Sequence, residues 1–385
     1  MKNYNIIILG GGACGIITSI IASNKHNNIA IIDKCNKLAK KILVTGNGRC
    51  NLTNVNATSK HYNQNIDKYL NRFNVQDTLK FFSDLGLMTY NDEENRIYPI
   101  SNSAKSVLDV LTNKVNSSNI DKYLEHEILN IERKNNKFIV ETDKESFECE
   151  KLVVALGGNT SEHIAQKFNI KIKKFVPSLV SLKTNSTKLL NNTRVSNVKV
   201  TATNSQGNQM IEKGEVLFKD SGLSGICIFN LSTLFSRINN FNGKIEIDLL
   251  PDYETKVLTK ILNERKKLNV KINQFFDGMF VSAIAYEILN RCKINENRLS
   301  SELSDKEIEQ FVKIIKHLDF KVVGCYENNQ VYSGGICLNE LNDNLECKNI
   351  KGLYFGGEVC DIDGLCGGYN LQWAWTSGFI IGESL

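Results

Sequence analysis

The stretch "YNIIILGGGACGIITSIIA", residues 4–22, decides how the chain begins to fold. Residues 4–9 are a short apolar run rich in β-branched side chains, and glycines follow at once, as in a buried parallel strand entering a turn. A helix should run from about Cys14 to Ser23, and "NIAIIDK" supplies a second strand ending at Asp33, completing one βαβ unit. Gly10, Gly12 and Gly15 fall in the G-x-G-x-x-G pattern. The first glycine permits the tight turn, the second lets the backbone approach a pyrophosphate, and the third lets helix pack on strand. The helix N-terminus then presents its positive end to phosphates, with Ala13 at its start, and Asp33 stands where a carboxylate holds a ribose hydroxyl, with Lys34 beside it. Together these features predict dinucleotide binding.

The other end of the chain narrows the choice of dinucleotide. Gly157 and Gly158 follow an apolar strand in "VVALGG", and "GLYFGGEVCDIDG" lies near the C-terminus. A simple nicotinamide fingerprint requires neither, whereas both are similar to segments that close around FAD in flavoproteins of the glutathione-reductase type. "GGYNLQWAWTSGFIIG" opens a final helix at Gly367 and Gly368, whose free N–H groups are suited to a flavin pyrimidine carbonyl.

Composition sets the outer limits. With 385 residues, 42% hydrophobic and 23% charged, the chain is long enough for two domains of ordinary globular make-up. Eleven cysteines, with no CxxC pair and no Cys/His cluster at zinc spacing, fit a reducing cytoplasm, and no metal site is expected. The one apolar segment near the N-terminus is broken by glycines and lacks a cleavage signal, so neither a targeting sequence nor a membrane partner is expected.

Between the two glycine-rich ends the character changes. "SAKSVLDVLTNKV" has helical spacing at Val107, Leu108, Leu111 and Val115, and "KFIVETD" and "FECEKLVVALGG" read as strands. From about residue 161, "VKVTATN", "MIEKGEVLFKD" and "GKIEIDL" predict antiparallel strands. "YETKVLTKILNERKKL", "QFFDGMFVSAIAYEILNRC" and "SDKEIEQFVKIIKHL" predict three helices, the last capped by Ser304 with Glu307 three residues on. The reading is α/β: an FAD-binding Rossmann-like domain in two pieces, 1–160 and 331–385. An insert at 161–330 would be β-rich over about 175–252 and helical over about 253–320. Residues 165–330 carry 25 basic and 17 acidic side chains, against +2 for 1–164 and −5 for 331–385. That asymmetry points either to a polyanionic partner or to a lysine-rich solvated surface.

"GGGACG", "KKILVTGNGRCNLTN", "RIYPISNSAKSVLDVL", "PSLVSL", "GEVLFKDSGLSG", "VYSGGI" and "GLYFGGEVCDIDGLCGGYNLQWAWTSG" together resemble, in order, the HI0933-like (YhiN-like) family of bacterial NAD(P)/FAD-dependent oxidoreductases. The resemblance implies an FAD-binding domain with an inserted β-rich and helical region. It implies that Gly10, Gly12, Gly15 and Asp33 hold the ADP half and that Lys41, Gly46, Gly48, Arg49, Cys50 and Asn51 lie against the cofactor. It further implies that Gly357, Glu358, Asp361, Gly368, Asn370 and Leu371 close the flavin side. Two departures limit it: Lys219, Asp220 and Ile226 replace the family's usual Thr-His pair and proline, and the segment 159–172 is shortened.

Within "VTGNGRCNLTN", Arg49 offers a fixed positive fork. Cys50 offers a thiol able to donate the proton that completes reduction of a carbon–carbon double bond, the alternative being a small buried packing residue. A second G-x-G-x-x-G is missing, so NAD(P)H is expected to visit transiently as reductant. The expected activity is reduction of an activated C=C bond, foremost uridine to dihydrouridine in ribosomal RNA docked on the basic insert. The alternatives are a small enone or amine substrate, a folate/FAD-dependent RNA methyltransferase, and a flavin-bearing protein without catalysis.

Overall fold

A computed structural model describes residues 1–158, 161–185, 187–327 and 330–385. The chain forms two compact units, Met1–Phe175 with Val331–Leu385, and Val176–Gln330.

In the first unit the opening apolar run is the strand Lys2–Leu9, and it pairs in parallel with Ile29–Asp33 on one side and Ser146–Val154 on the other. Ile120–Leu124 extends the parallel sheet beyond Ile29–Asp33, and Leu353–Phe355 adds to Ser146–Val154. The antiparallel strands Lys137–Thr142 and Ile128–Lys134 complete the opposite flank. Ile6, Ile7, Ile8 and Leu9 are fully buried, as a central parallel strand covered on both faces requires. The helix Ala13–Ala22 starts directly after the glycines and Ala104–Ser117 carries its buried stripe at Val107, Leu111 and Val115.

The unit is closed by the C-terminal helix Tyr369–Ser384, which lies along Ala13–Ala22 at close range. Two glycines explain the approach: a Cβ on Gly378 would stand 2.2 Å from Ile17 Cγ2, and one on Gly382 would stand 2.7 Å from Ile21 Cβ. Cys14 faces Ser377 while Ile21 faces Gly382, so the two helices run parallel with their N-termini at the same end. Eight residues separate Tyr369 from Ser377, so the C-terminal helix begins about 12 Å beyond the level of Cys14.

Residues 161–175 pack with this unit rather than with the insert, because Ile164, Ala165 and Ile170 fill the sheet domain's core. Asn159 and Thr160 of the shortened segment lie outside the described residues. The boundary matters for charge: Lys167, Lys171, Lys173 and Lys174 leave the insert, and Val176–Gln330 keeps 21 basic and 17 acidic residues, a net +4 in place of +8.

The second unit is a six-stranded closed barrel of Leu182–Thr184, Gly222–Ser224, Gln209–Lys219, Arg194–Asn204, Gly243–Asp248 and Leu318–Cys325. The three strands expected from sequence are there, and closure removes their edges. The helices Thr255–Arg265, Ser282–Cys292 and Asp305–Lys316 match the three expected positions. Ser304 caps the last with Glu307 in a reciprocal box. A fourth helix, Ile226–Ser236, was not legible, being apolar nearly all round and therefore without amphipathic period. All eleven cysteines are free, and among the described residues no helix is long and apolar enough to cross a membrane.

Candidate active site

The site is assembled in the first unit from two helix N-termini. Gly10 adopts φ +99° and a Cβ there would sit 2.4 Å from Ala155 O, while one on Gly15 would sit 1.9 Å from Gly10 O. Both glycines are therefore demanded by the protein's own packing. Gly12 differs: its backbone is extended, and nothing lies within 4 Å of an added Cβ. It caps Ala13–Ala22 without a side chain, leaving the first-turn N–H groups at Ala13 and beyond without intrahelical partners. Asp33 stands at the end of its strand, one carboxylate oxygen accepting Gly11 N at 2.6 Å and the other Cys35 N at 2.7 Å. These bonds fix the carboxylate and leave lone pairs for a further donor.

The turn at Gly357 is set against the same helix start. Its N–H donates to Ser377 Oγ at 2.9 Å, its carbonyl accepts from Trp373 Nε1 at 3.0 Å, and a Cβ would stand 2.9 Å from Cys14 Cβ. Glu358 draws in several elements at once. It accepts from Lys41 Nζ at 2.7 Å, Tyr332 N at 3.0 Å and Gly158 N at 3.4 Å, with Gly157 alongside. Gly10, Gly12, Ala13, Asp33, Lys41, Gly157, Gly158, Gly357 and Glu358 thus converge. Lys34 is exposed and takes part in no contact within this group.

The second N-terminus belongs to Tyr369–Ser384, capped by Gly368 at φ +97° with no side-chain cap. A Cβ on Gly368 would strike Thr53 C at 2.5 Å and Asn51 Oδ1 at 2.8 Å. That Asn51 oxygen is buried without a hydrogen-bond partner. The helix is held in place by a polar network inside the core. Thr53 donates to Gln372 Oε1 (2.6 Å), Gln372 Nε2 donates to Thr78 (2.9 Å) and Thr376 (3.0 Å), and Thr376 donates to Phe73 O (2.7 Å). Trp375 Nε1 donates to Leu52 O at 2.9 Å. All of these side chains are fully buried and satisfied, so the network fixes the helix start rigidly. Sequence reading missed it, although Gln372 and Thr376 at i, i+4 on an otherwise apolar helix were the available signal.

Other expected contacts are spent within the protein. Asn370 accepts from Gly364 N at 2.9 Å and donates to Gly364 O at 2.8 Å, clamping its own loop, and Leu371 packs against the core. Asp361 is buried, paired with Lys173 Nζ at 2.5 Å and contacted by Asn63 and Gln64. Burial pushes its carboxyl above the usual range against the pull of Lys173. Asn370 and Asp361 therefore shape the loop rather than turn their side chains toward a cofactor. His61 stacks on Tyr369 at 4.3 Å with an interplanar angle of 8°.

The stretch 44–54 holds the largest correction. Gly46 and Asn47 lie in the left-handed region and Gly48 has φ +80°, which folds the chain back so that a Cβ on Gly46 would meet Asn51 N at 2.7 Å. Arg49 stays exposed, its guanidinium 4.5 Å from the centre of the Tyr98 ring. Cys50, at φ +59°, is turned inward, with relative exposure 0%, and burial pushes its thiol up to about 12. A side chain with no open surface cannot meet a reacting substrate, so Cys50 is a packing residue and not the proton donor.

The residues present fit FAD. Two uncapped helix starts facing the same way, an open approach at Gly12, and a buried acceptor at Asn51 beside the second start match the demands of a pyrophosphate and of a ring bearing an N–H between two carbonyls. Fold and site define an FAD-binding Rossmann-type oxidoreductase. The chain belongs to the HI0933-like family, whose Rossmann-domain model matches residues 4–384.

Among its relatives, the 3-dehydro-bile acid delta(4,6)-reductase of Clostridium scindens is 30% identical over 98% of this chain and 98% of its own length. The ribosomal RNA dihydrouridine synthase of Escherichia coli is 27% identical over 100% of this chain and 98% of its own, and that of Haemophilus influenzae 26% over 98% of each. The fold is similar to 3-ketosteroid-delta4-(5alpha)-dehydrogenase from Rhodococcus jostii, with TM-score 0.50 and 9% identity over 100% of this chain and 96% of that one. The 3-ketosteroid delta1-dehydrogenase from Sterolibacterium denitrificans gives TM-score 0.50 and 11% identity over 100% and 99%.

Proposed function

We propose that this flavin oxidoreductase reduces a carbon–carbon double bond conjugated to a carbonyl, taking hydride from NAD(P)H, and that its substrate is uridine in ribosomal RNA. The observation that carries the reading is the chain-long similarity to enzymes named for such reductions. The 5,6 bond of uracil is conjugated to the C4 carbonyl, and the 4 and 6 bonds of a 3-oxo steroid are conjugated to C3. In both cases the alkene gains hydride and a proton, and NAD(P)H leaves as NAD(P)+. FAD, when bound, supplies the two-electron relay between reductant and substrate. The chain's own part is to hold and polarise. Gly10, Gly12, Ala13, Gly15 and Asp33 take the ADP half, Lys41 and Glu358 hold the Gly157–Gly158 turn beside it, and Asn51 with the N–H groups after Gly368 takes the electron-poor ring end. Gly46 and Gly48 let the backbone at Arg49 come close to that end, and the proton comes from a group other than Cys50.

The test is mass spectrometry of ribosomal RNA nucleosides from cells with and without the gene. Loss of one dihydrouridine on deletion, restored by the intact gene and not by Gly12→Val, is the expected result, and an unchanged dihydrouridine content would sink the RNA assignment. The higher identity to the bile acid reductase favours a second reading, a small 3-oxo-dienoic steroid, which turnover of such a compound by the purified holoenzyme would support.

A further inference from the structure

The distribution of charge on the second unit argues for one place on it. Its helical stretch, residues 253–320, carries 12 basic and 10 acidic side chains, and five of the cations are answered locally. Lys266 pairs with Asp305 (3.1 Å), Lys267 with Glu264 (2.5 Å), Arg291 with Glu287 (2.7 Å), Arg298 with Glu307 (2.7 Å) and Lys316 with Asp248 (2.7 Å). The helical face is therefore close to electrically balanced.

The barrel carries a different arrangement. Lys183 lies in register with Gly222 on one neighbouring strand and Gly324 on the other, and Lys219 is likewise in register with Gly222. Cross-strand partners point to the same face, so two lysines flank a strip from which side chains are missing. The Tyr326 ring fills that strip: a Cβ on Gly222 would stand 2.9 Å from Tyr326 Cε2. Lys219 Nζ lies 4.9 Å from the ring centre and Lys183 Nζ 5.4 Å. Lys219 also donates to Ser181 Oγ at 3.1 Å, and Ser181 donates on to Ser224 at 2.9 Å, which holds the ammonium in position. Among the described residues neither ammonium has a carboxylate within 4 Å; Asp220 and Glu327, the acids adjacent in sequence, pair with neither. Two like charges held at one ring with no counter-charge repel each other, and an anion bridging them removes that cost.

We propose that Lys183, Lys219 and Tyr326 form a phosphodiester-binding site through which the second unit holds RNA, an inference that rests on the ribosomal RNA reading above. The two ammoniums neutralise backbone phosphate and the tyrosine hydroxyl offers a neutral donor beside them.

The experiment measures binding of protein-free ribosomal RNA to the FAD-loaded full chain by filter retention across a salt series. Three double variants are compared with the parent: Lys183→Ala with Lys219→Ala, Lys183→Arg with Lys219→Arg, and Lys266→Ala with Lys267→Ala. Flavin absorbance and melting serve as fold controls. Loss of two phosphate contacts lowers the slope of log affinity against log salt by about 1.4 to 1.8. That decrease is expected for the barrel alanine pair alone, with the arginine pair and the helix pair keeping the parental slope. If the parent binds RNA and the barrel alanine pair leaves its slope unchanged, the site is wrong while the RNA reading stands. If the parent retains no ribosomal RNA at low salt, the RNA reading itself falls and this site with it.

Discussion

Replacing Gly12 by valine separates ligand binding from folding more cleanly than any other change in the glycine turn. The added Cβ meets no protein atom within 4 Å and the backbone there is extended, a conformation valine adopts readily. The folding cost reduces to a poorer helix cap, about 1 kcal/mol. The space that the side chain takes is the space through which a pyrophosphate approaches, so FAD affinity should collapse. Bound FAD at 100 times its Kd stabilises the fold by about 2.7 kcal/mol. For a unit of this size that raises Tm by roughly 5–11 °C, against roughly 2–4 °C lost to the cap. Both tryptophans, Trp373 and Trp375, are buried in the C-terminal helix of the FAD-binding unit, so their emission shift on heating reads that unit and not the barrel. The expected result is an apo Tm within a few degrees of the parent and no rise on adding FAD. Gly15→Ala, with its Cβ 1.9 Å from Gly10 O, should instead cost more than about 4 kcal/mol with or without FAD. A Gly12→Val protein that still gains several degrees with FAD would refute the assignment of that space to the cofactor.

Cys50→Ala should lower stability by about 1–2 kcal/mol through lost packing and leave turnover per bound flavin unchanged; loss of turnover with flavin retained would restore the thiol to the chemistry. Asn51→Leu removes a buried acceptor with no partner, whose burial costs about 1–3 kcal/mol, so the apo protein should melt no lower than the parent while FAD titration shows weaker binding. Alkaline pH should destabilise the protein. Burial raises the thiols of Cys14 to about 11, and of Cys50 and Cys227 to about 12, from ordinary values near 9.0. Each folded thiol stays protonated where the unfolded one ionises, so its contribution is intact below pH 9 and is lost as pH rises toward 11–12, about 1.4 kcal/mol per pH unit per group. Denaturant melts at pH 8 and 10 check this, and equal stability at the two would contradict it.

Much of the local structure around the candidate site was legible in the sequence. The βαβ opening, Asp33 at the strand end, the glycines of three separate turns and the start of the last helix each follow from local rules of turn and cap chemistry, which act within a few residues. The Ser304–Glu307 cap was readable for the same reason. What the sequence does not encode locally is which way a loop side chain turns once distant segments pack on it. In "GNGRCN" Cys50 can be read either as a proton donor or as a buried packing residue, and only the run of left-handed residues that folds it into the core separates the two.

By itself, then, the sequence determined a nucleotide-binding strand, turn and helix, because backbone conformation at glycines is a property of the residue. Only the tertiary structure decided the rest. Closing six strands into a barrel, aligning two helix starts in one direction through Gly378 and Gly382, leaving Asn51 Oδ1 without a partner, and bringing Tyr326 back onto Lys183 and Lys219, more than a hundred residues earlier in the chain, are long-range events. They depend on which surfaces meet when the core is buried, and burial is settled by the whole chain at once.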